Sequence, residues 1–188
     1  GITMKKTLFP LILISLTFVI SSISVIADIT TFGRLNTFNH FFAILMLVSL
    51  ALIIYSLRIK MHYIGSLLLF SIAGFIRLLS LTNSFQGYNT ALYVLAMLSS
   101  IAFLDIAFLI IHHLMIKFKF MNIISFIFSL ISIVLLIAFG IYYFISFKDA
   151  LGDFSILMNG VVIFSLISLP IILLINSPLR VDNNKVNS

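Results

Sequence analysis

Long apolar stretches alternate with short polar ones along the whole chain. Six stretches stay apolar over at least about 20 residues: 8–27, 37–57, 61–82, 90–115, 120–146 and 155–176. An α-helix rises about 1.5 Å per residue, so each stretch is long enough to cross about 30 Å of hydrocarbon. The pattern therefore predicts an all-α integral membrane protein. It would be a bundle of six transmembrane helices whose short loops make sequential helices antiparallel neighbours.

The ends of the chain add little to this single transmembrane domain, which we predict to cover residues 4–177. Residues 1–3 precede Met4 and are expected to be an expression remnant, while residues 178–188 form a polar cytoplasmic tail. The first stretch has a basic start and small residues before Asp28, which is also typical of a secretory signal peptide. Its length favours a retained span instead.

The basic residues predict how the bundle is oriented. With the N-terminus inside, the cytoplasmic segments hold eight of the eleven lysines and arginines, and the opposite side holds two. The eight are Lys5, Lys6, Arg58, Lys60, Lys117, Lys119, Arg180 and Lys185, and the two are Arg34 and Lys148. Short cytoplasmic loops are enriched in lysine and arginine, so both termini should be cytoplasmic. The many Ile, Phe and Asn residues suggest an AT-rich genome and hence a bacterial cytoplasmic membrane.

Composition narrows the chemistry that the chain can perform. Hydrophobic residues make up 62% of it and charged residues 9%, against about 25% charged in a soluble domain. It has no cysteine and none of the short motifs of nucleotide-binding loops, serine hydrolases or zinc proteases. His62, His112 and His113 could in principle hold a haem iron, but they lie at the membrane edge. The sequence thus predicts no catalytic residue, no metal and no cofactor, and an enzyme is the less favoured alternative.

A permanent positive charge, Arg77, interrupts the apolar sequence SIAGFIRLLSL in the outer half of the third span. The guanidinium could extend to the headgroups, or it could pair with Asp105 of the fourth span, about 9 Å away in depth. Asp105 is too short to reach either surface, so it needs a partner, a hydrated cavity or a proton. We therefore predict an intramembrane ion pair between Arg77 and Asp105. It would either clamp two helices together or belong to a polar site.

Polar residues near the outer face predict a shallow ligand pocket. The residues expected to bind a ligand are His40, Arg77, Tyr93, Asp105 and Asn159. A few polar groups on an apolar wall are typical of small-molecule sites. The alternative is an ordinary interfacial belt of aromatic and amide side chains. Asp105 and His112, seven residues apart on one helix face, could also relay protons, unless His112 is simply interfacial.

Small residues at helical spacing predict where helices pack closely. Gly74 in the third span and Gly140 in the fifth are the clearest examples. Such residues let helix backbones approach each other in lipid, where no hydrophobic force drives helices together. Pro170 predicts a kink in the last span because proline cannot continue the helical hydrogen bonds.

Two kinds of function fit these features. The favoured one is binding or transport of a small solute through the outward-facing pocket. With six apolar stretches in 188 residues, the chain resembles in size and outline the substrate-binding subunits of energy-coupling-factor vitamin importers. Those subunits tend to carry alanines four residues apart in the first span. In this chain the first span holds serines instead: Ser15, Ser21, Ser22 and Ser24. The resemblance ends at this outline and does not assign the chain to that family.

The alternative is a non-catalytic interaction protein: a membrane sensor, an immunity protein or an accessory subunit of a larger membrane complex. It is favoured by the lack of any catalytic constellation and by the scarcity of charges within the spans. The expected partners are the lipid bilayer together with a small solute or another membrane subunit. Nucleic acid is not among them, because the net charge of +6 follows from topology and anionic headgroups.

Overall fold

The computed structural model describes residues 2–32, 37–59, 64–115 and 121–175. All regular secondary structure within these ranges is helical, which confirms the predicted all-α class. The α-helices are α1 (Ile2–Phe32), α2 (Thr37–Ile59), α3 (Ile64–Phe85), α4 (Thr90–Met115), α5 (Met121–Ser146), α6 (Phe154–Ser165) and α7 (Ser168–Ile175). A single 3₁₀ turn, Lys148–Ala150, lies between α5 and α6.

The helices form a closed ring in chain order. Each of α1 to α5 packs against the next helix along the chain, α5 packs against both α6 and α7, and α1 completes the ring against α6. Short connections enforce this order, because a short loop can only join helices that lie side by side. Inside the ring, α3 also contacts α7. The largest fully buried side chains among the described residues are four phenylalanines: Phe42, Phe70, Phe103 and Phe139.

Within the described residues, five helical segments are long and apolar enough to cross a membrane. They are Leu8–Ala27, Ile64–Phe85, Thr90–Met115, Ile123–Ser146 and Phe154–Ile175. Large apolar side chains cover the outer surfaces of these helices, as a lipid environment requires. The chain is therefore a membrane-embedded helical protein. Helix α2 covers the predicted second span, but several of its side chains lie outside the described residues, so its crossing of the membrane stays a prediction.

The last membrane segment is broken into α6 and α7 by a two-residue turn. Pro170 lies four residues after Leu166, the first residue of that turn. A proline ring clashes with the carbonyl group four residues earlier and donates no backbone hydrogen bond, so the predicted kink is confirmed and has become a break. Thr17 of α1 covers it: Thr17 Oγ1 lies 3.1 Å from the Ser165 carbonyl oxygen and 3.0 Å from Ser168 Oγ.

Two reciprocal pairs of glycine and phenylalanine join α5 to α6. The Phe164 ring of α6 lies over Gly140 of α5, and the Phe144 ring of α5 lies over Gly160 of α6. A Cβ atom added at either glycine would come within 2.5 Å of the opposing ring. The two rings stack on each other, with centroids 5.8 Å apart and planes inclined by 12°. The close approach predicted at Gly140 therefore depends on a partner that the sequence did not reveal.

Candidate functional site

Arg77 is buried inside the helical ring. Its side chain is only 3% exposed, and it lies eight residues before the end of α3 at Phe85. Eight residues of helix correspond to about 12 Å, so the Cα atom of Arg77 is well inside the apolar segment Ile64–Phe85. A charged side chain at such a depth normally faces the interior of a bundle and marks a functional site. The polar groups around the guanidinium are therefore the first place to look for function.

Three helices contribute side chains to the polar contacts of Arg77. Arg77 Nη2 donates to Asn159 Oδ1 over 2.6 Å and lies 3.3 Å from Ser24 Oγ. Ser24 Oγ in turn donates to Asn159 Oδ1 over 3.0 Å. Ser24 belongs to α1, Arg77 to α3 and Asn159 to α6. We call these three residues the Arg77 cluster, because the guanidinium group of Arg77 on α3 contacts side chains of both α1 and α6.

A polar seam on the buried side of α1 positions Ser24. Thr17, Ser21 and Ser24 follow one another at intervals of four and three residues and are all buried. Positions with this spacing lie on one face of a helix. Thr17 meets the break between α6 and α7, while Ser24 meets Asn159 of α6, so the seam lies against the broken segment. The sequence contained this signal, but the serines of the first span had no assigned role.

Asn159 presents its amide group in a defined orientation. Its Oδ1 atom accepts both the bond from Arg77 and the bond from Ser24. The amide nitrogen therefore points away from these two donors, and it donates to no side chain or backbone group among the described residues. Asn159 is only half-buried. The cluster thus offers the amide nitrogen of Asn159 as a hydrogen-bond donor beside the guanidinium group of Arg77.

No contact among the described residues supports the predicted ion pair between Arg77 and Asp105, which stays a prediction. Phe103 of α4 lies over Gly74 of α3, so the α4 face that includes Phe103 is turned toward α3. Asp105 lies two residues further along, about 200° around the helix, on the face turned away from α3. In the described part of the chain no ion pair joins Arg77 to Asp105, and the described bonds of Arg77 run to Ser24 and Asn159 instead.

Among the residues of the predicted pocket that the structure describes, Tyr93 and Asp105 make no described contact with the Arg77 cluster. Tyr93 is half-buried on α4 and packs against the apolar core. The side chain of His40 lies outside the described residues. Of the five predicted ligand-binding residues, the structure brings Arg77 and Asn159 together and adds Ser24 to them. His112 shares the outward face of α4 with Asp105, seven residues away, as predicted from their spacing.

Comparison with protein-family models, with curated proteins and with solved structures gave no match to this chain. The fold and the cluster together define a class: a membrane-embedded helical protein with a buried arginine at the junction of three helices. Any more specific function has to be argued from the residues themselves.

Proposed function

We propose that the protein binds or transports a small solute at the Arg77 cluster. The observation that carries this proposal is the burial of Arg77, whose side chain is 3% exposed inside a bundle of apolar helices. Placing an arginine at the centre of a membrane helix costs about 2.5–3.5 kcal/mol on insertion scales. Helix packing alone does not require a charged residue at this position, because serine or asparagine could bridge the same helices. Binding of a solute would explain why an arginine is buried here.

The chemistry of the cluster favours a solute with acceptor oxygens. Arginine carries five N–H donors in a planar fork and binds carboxylate or phosphate groups with two parallel bonds. The amide nitrogen of Asn159 adds further donors beside it, since Asn159 Oδ1 already accepts from Arg77 and Ser24. Apolar walls around such a group of donors would hold the rest of a small molecule. A carboxylate- or phosphate-bearing solute is the class that these donors would recognise.

The broken last segment supports movement of the solute as well as binding. Discontinuous membrane helices recur at the binding sites of transporters, where two half-helices can move relative to each other. Here the turn after Ser165 follows Asn159 by about two helical turns, and Thr17 of α1 contacts both sides of the break. A change in the contact between α1 and this turn would therefore change the position of Asn159. We expect the bundle to have six spans with both termini in the cytoplasm of a bacterium.

Native mass spectrometry on protein extracted gently from its own membranes tests this proposal. We expect a small molecule to stay with the wild-type protein and to be lost from Asn159→Ala and Arg77→Lys. Tyr93→Phe is the matched control. Tyr93 packs on the apolar core, so this variant should retain the molecule. Equal retention by Asn159→Ala and the wild type would place the molecule elsewhere. A wild-type protein that carries only lipid would overturn solute binding at this cluster.

A non-catalytic interaction protein is the second candidate function, and one observation favours it. Asp105 lies on the outward face of α4, where the neighbouring positions are large exposed apolar residues. A carboxyl group on that face is hard to explain by contacts within this chain. It is the basis of the next inference.

A further inference from the structure

The outward face of α4 carries a regular stripe of exposed side chains. Its seven positions are separated alternately by four and three residues: Val94, Leu98, Ile101, Asp105, Phe108, His112 and Met115. All are exposed except Asp105, which is partly buried. This spacing is the heptad pattern by which one helix packs along another. We call these seven residues the α4 stripe.

Asp105 lies near the middle of the stripe, both along the helix and around it. It follows Thr90 by 15 residues and precedes Met115 by ten, so it is about 22 Å and about 15 Å from the two helix ends. At about 100° per residue, Asp105 lies only about 20° around the helix from Val94. Phe108, three residues further on the same face, is 59% exposed. The carboxyl group is therefore surrounded by a surface that otherwise suits lipid.

The outward faces of two other helices show what an ordinary lipid-facing stripe looks like here. On α1 the exposed positions from residue 8 to residue 26 are all large and apolar: Leu8, Ile12, Leu16, Val19, Ile23 and Ile26. The exposed positions of α5 between Ile123 and Ile141 are likewise apolar. An aspartate is too short to extend to either membrane surface, unlike lysine or arginine. The carboxyl group of Asp105 therefore needs a polar partner that lipid alone does not provide.

A second copy of this chain does not meet that requirement well. Two copies inserted in the same orientation would pack α4 against α4 in parallel, and the heptad pattern would then bring the two Asp105 side chains together. Like charges at such a contact are destabilising. A basic side chain at the same depth would instead neutralise the carboxylate and satisfy its acceptor oxygens.

We infer that the α4 stripe binds a transmembrane helix of another protein, which carries a lysine or arginine at the depth of Asp105. The apolar positions on both sides of Asp105 supply the packing surface, and the carboxylate fixes the register and disfavours helices without a basic residue. His112 lies two turns further along the same stripe, near the end of the helix. The inference does not depend on solute binding at the Arg77 cluster, which lies on the other side of α4.

A synthetic peptide provides the first test. The full-length protein is reconstituted in phosphatidylcholine vesicles, and energy transfer reports binding of a polyleucine transmembrane peptide with one central lysine. We expect this peptide to bind about three- to tenfold more tightly than the same peptide with leucine in place of lysine. Asp105→Asn should abolish the difference, and Asp105→Glu should keep it. Val134→Asn, on the exposed face of α5, is the matched control and should behave like the wild type.

A second variant separates loss of the partner from loss of the fold. Ile101→Trp keeps Asp105 but fills the stripe beside it, so it should weaken binding of the lysine peptide while the melting temperature stays unchanged. Equal binding of the two peptides to the wild type would overturn the inference. So would an Asp105→Asn protein that still prefers the lysine peptide.

Photocrosslinking in the native membrane tests the partner itself. A photoreactive residue at Ile101 should form an adduct with another membrane protein, through a peptide from an apolar helix that contains lysine or arginine. The adduct should disappear in Asp105→Asn and should be absent when the photoreactive residue is at Val134. Adducts with lipid alone, with a second copy of this chain, or with a protein regardless of Asp105 would each contradict the inference.

Discussion

Arg77 and Asn159, which are 82 residues apart in the chain, are joined by a hydrogen bond of 2.6 Å between Nη2 and Oδ1. The bond connects α3 to α6 across the interior of the ring, and Ser24 of α1 donates to the same oxygen. A hydrogen bond that involves a charged group is about twice as strong as one between neutral groups. This contact therefore fixes the relative positions of three helices, as well as forming the centre of the proposed solute site.

A double-mutant cycle should show that Arg77 and Asn159 are coupled. We expect Arg77→Ala and Asn159→Ala each to lower the free energy of unfolding in detergent by about 1.5–3 kcal/mol, because each removes the hydrogen bond between a charged group of α3 and the Asn159 side chain of α6. The double variant should cost less than the sum of the two by about 1–2 kcal/mol. Chemical unfolding of the purified protein in one detergent provides all four values.

The matched control for this cycle pairs Arg77→Ala with Asp105→Ala. Asp105 lies on the outward face of α4, so the two changes should add to within about 0.5 kcal/mol. A coupling between Arg77 and Asp105 as large as that between Arg77 and Asn159 would contradict the arrangement described above and would restore the ion pair that the sequence suggested.

The reciprocal pairs between α5 and α6 leave no space for a larger residue at the glycines. Gly140→Ala should lower the free energy of unfolding by about 1–3 kcal/mol, because the added methyl group would overlap the Phe164 ring. Thermal unfolding followed by circular dichroism measures the change. Trimming the ring in Gly140→Ala with Phe164→Leu should recover part of the loss.

Gly65 is the control for that prediction. It lies in the first turn of α3, and a Cβ atom added there would meet nothing within 4 Å. Gly65→Ala should therefore be neutral or slightly stabilising, since alanine favours a helix by about 1 kcal/mol over glycine. A Gly140→Ala protein that melts at the same temperature as Gly65→Ala would argue against the tight contact.

Ser49 and Ser66 should contribute a specific contact between α2 and α3. Each hydroxyl group lies within 2.7 Å of the backbone carbonyl oxygen of the other serine, and both side chains are buried. We expect Ser49→Ala to destabilise the protein by about 0.6–1.7 kcal/mol, the range found for hydrogen bonds between membrane helices. Ser132→Ala should cost less, because Ser132 bonds only to the Phe128 carbonyl of its own helix. Equal losses in unfolding free energy would mean that the contact between α2 and α3 adds nothing.

Removing Pro170 should repair the broken segment. Pro170→Ala restores a backbone N–H group that can donate to the Leu166 carbonyl oxygen, so α6 and α7 should join into one helix. Hydrogen exchange should then show slower exchange of the amides at 167–169 than in the wild type. Pro10→Ala changes the proline within α1 and is the matched control, with no effect expected at 167–169. Unchanged exchange in Pro170→Ala would mean that another feature holds the break.

The sequence by itself determined the helical class of the protein and an expected depth for each charged residue within the apolar stretches. Apolar stretches of about 20 residues leave a chain in lipid little choice but helices, because every backbone hydrogen bond must be made within the segment. The rise of about 1.5 Å per residue then converts sequence position into depth. Arg77 was singled out as a charge within an apolar stretch, with its burial left open, and the structure buries its side chain. Pro170 was predicted to kink the last segment, and the structure breaks that segment between α6 and α7.

Which face of each helix points inward was decided only by the tertiary structure. In a soluble protein the polar side of a helix marks its solvent face, but in a membrane both the core and the lipid are apolar, so hydrophobicity no longer separates inside from outside. Asp105 was therefore assigned to the interior by its depth, although it lies on the outward stripe of α4. Ser24 and Asn159 became partners of Arg77 because closure of the helical ring brought side chains of α1 and α6 within hydrogen-bonding distance of Arg77, a contact that spacing along the chain does not encode.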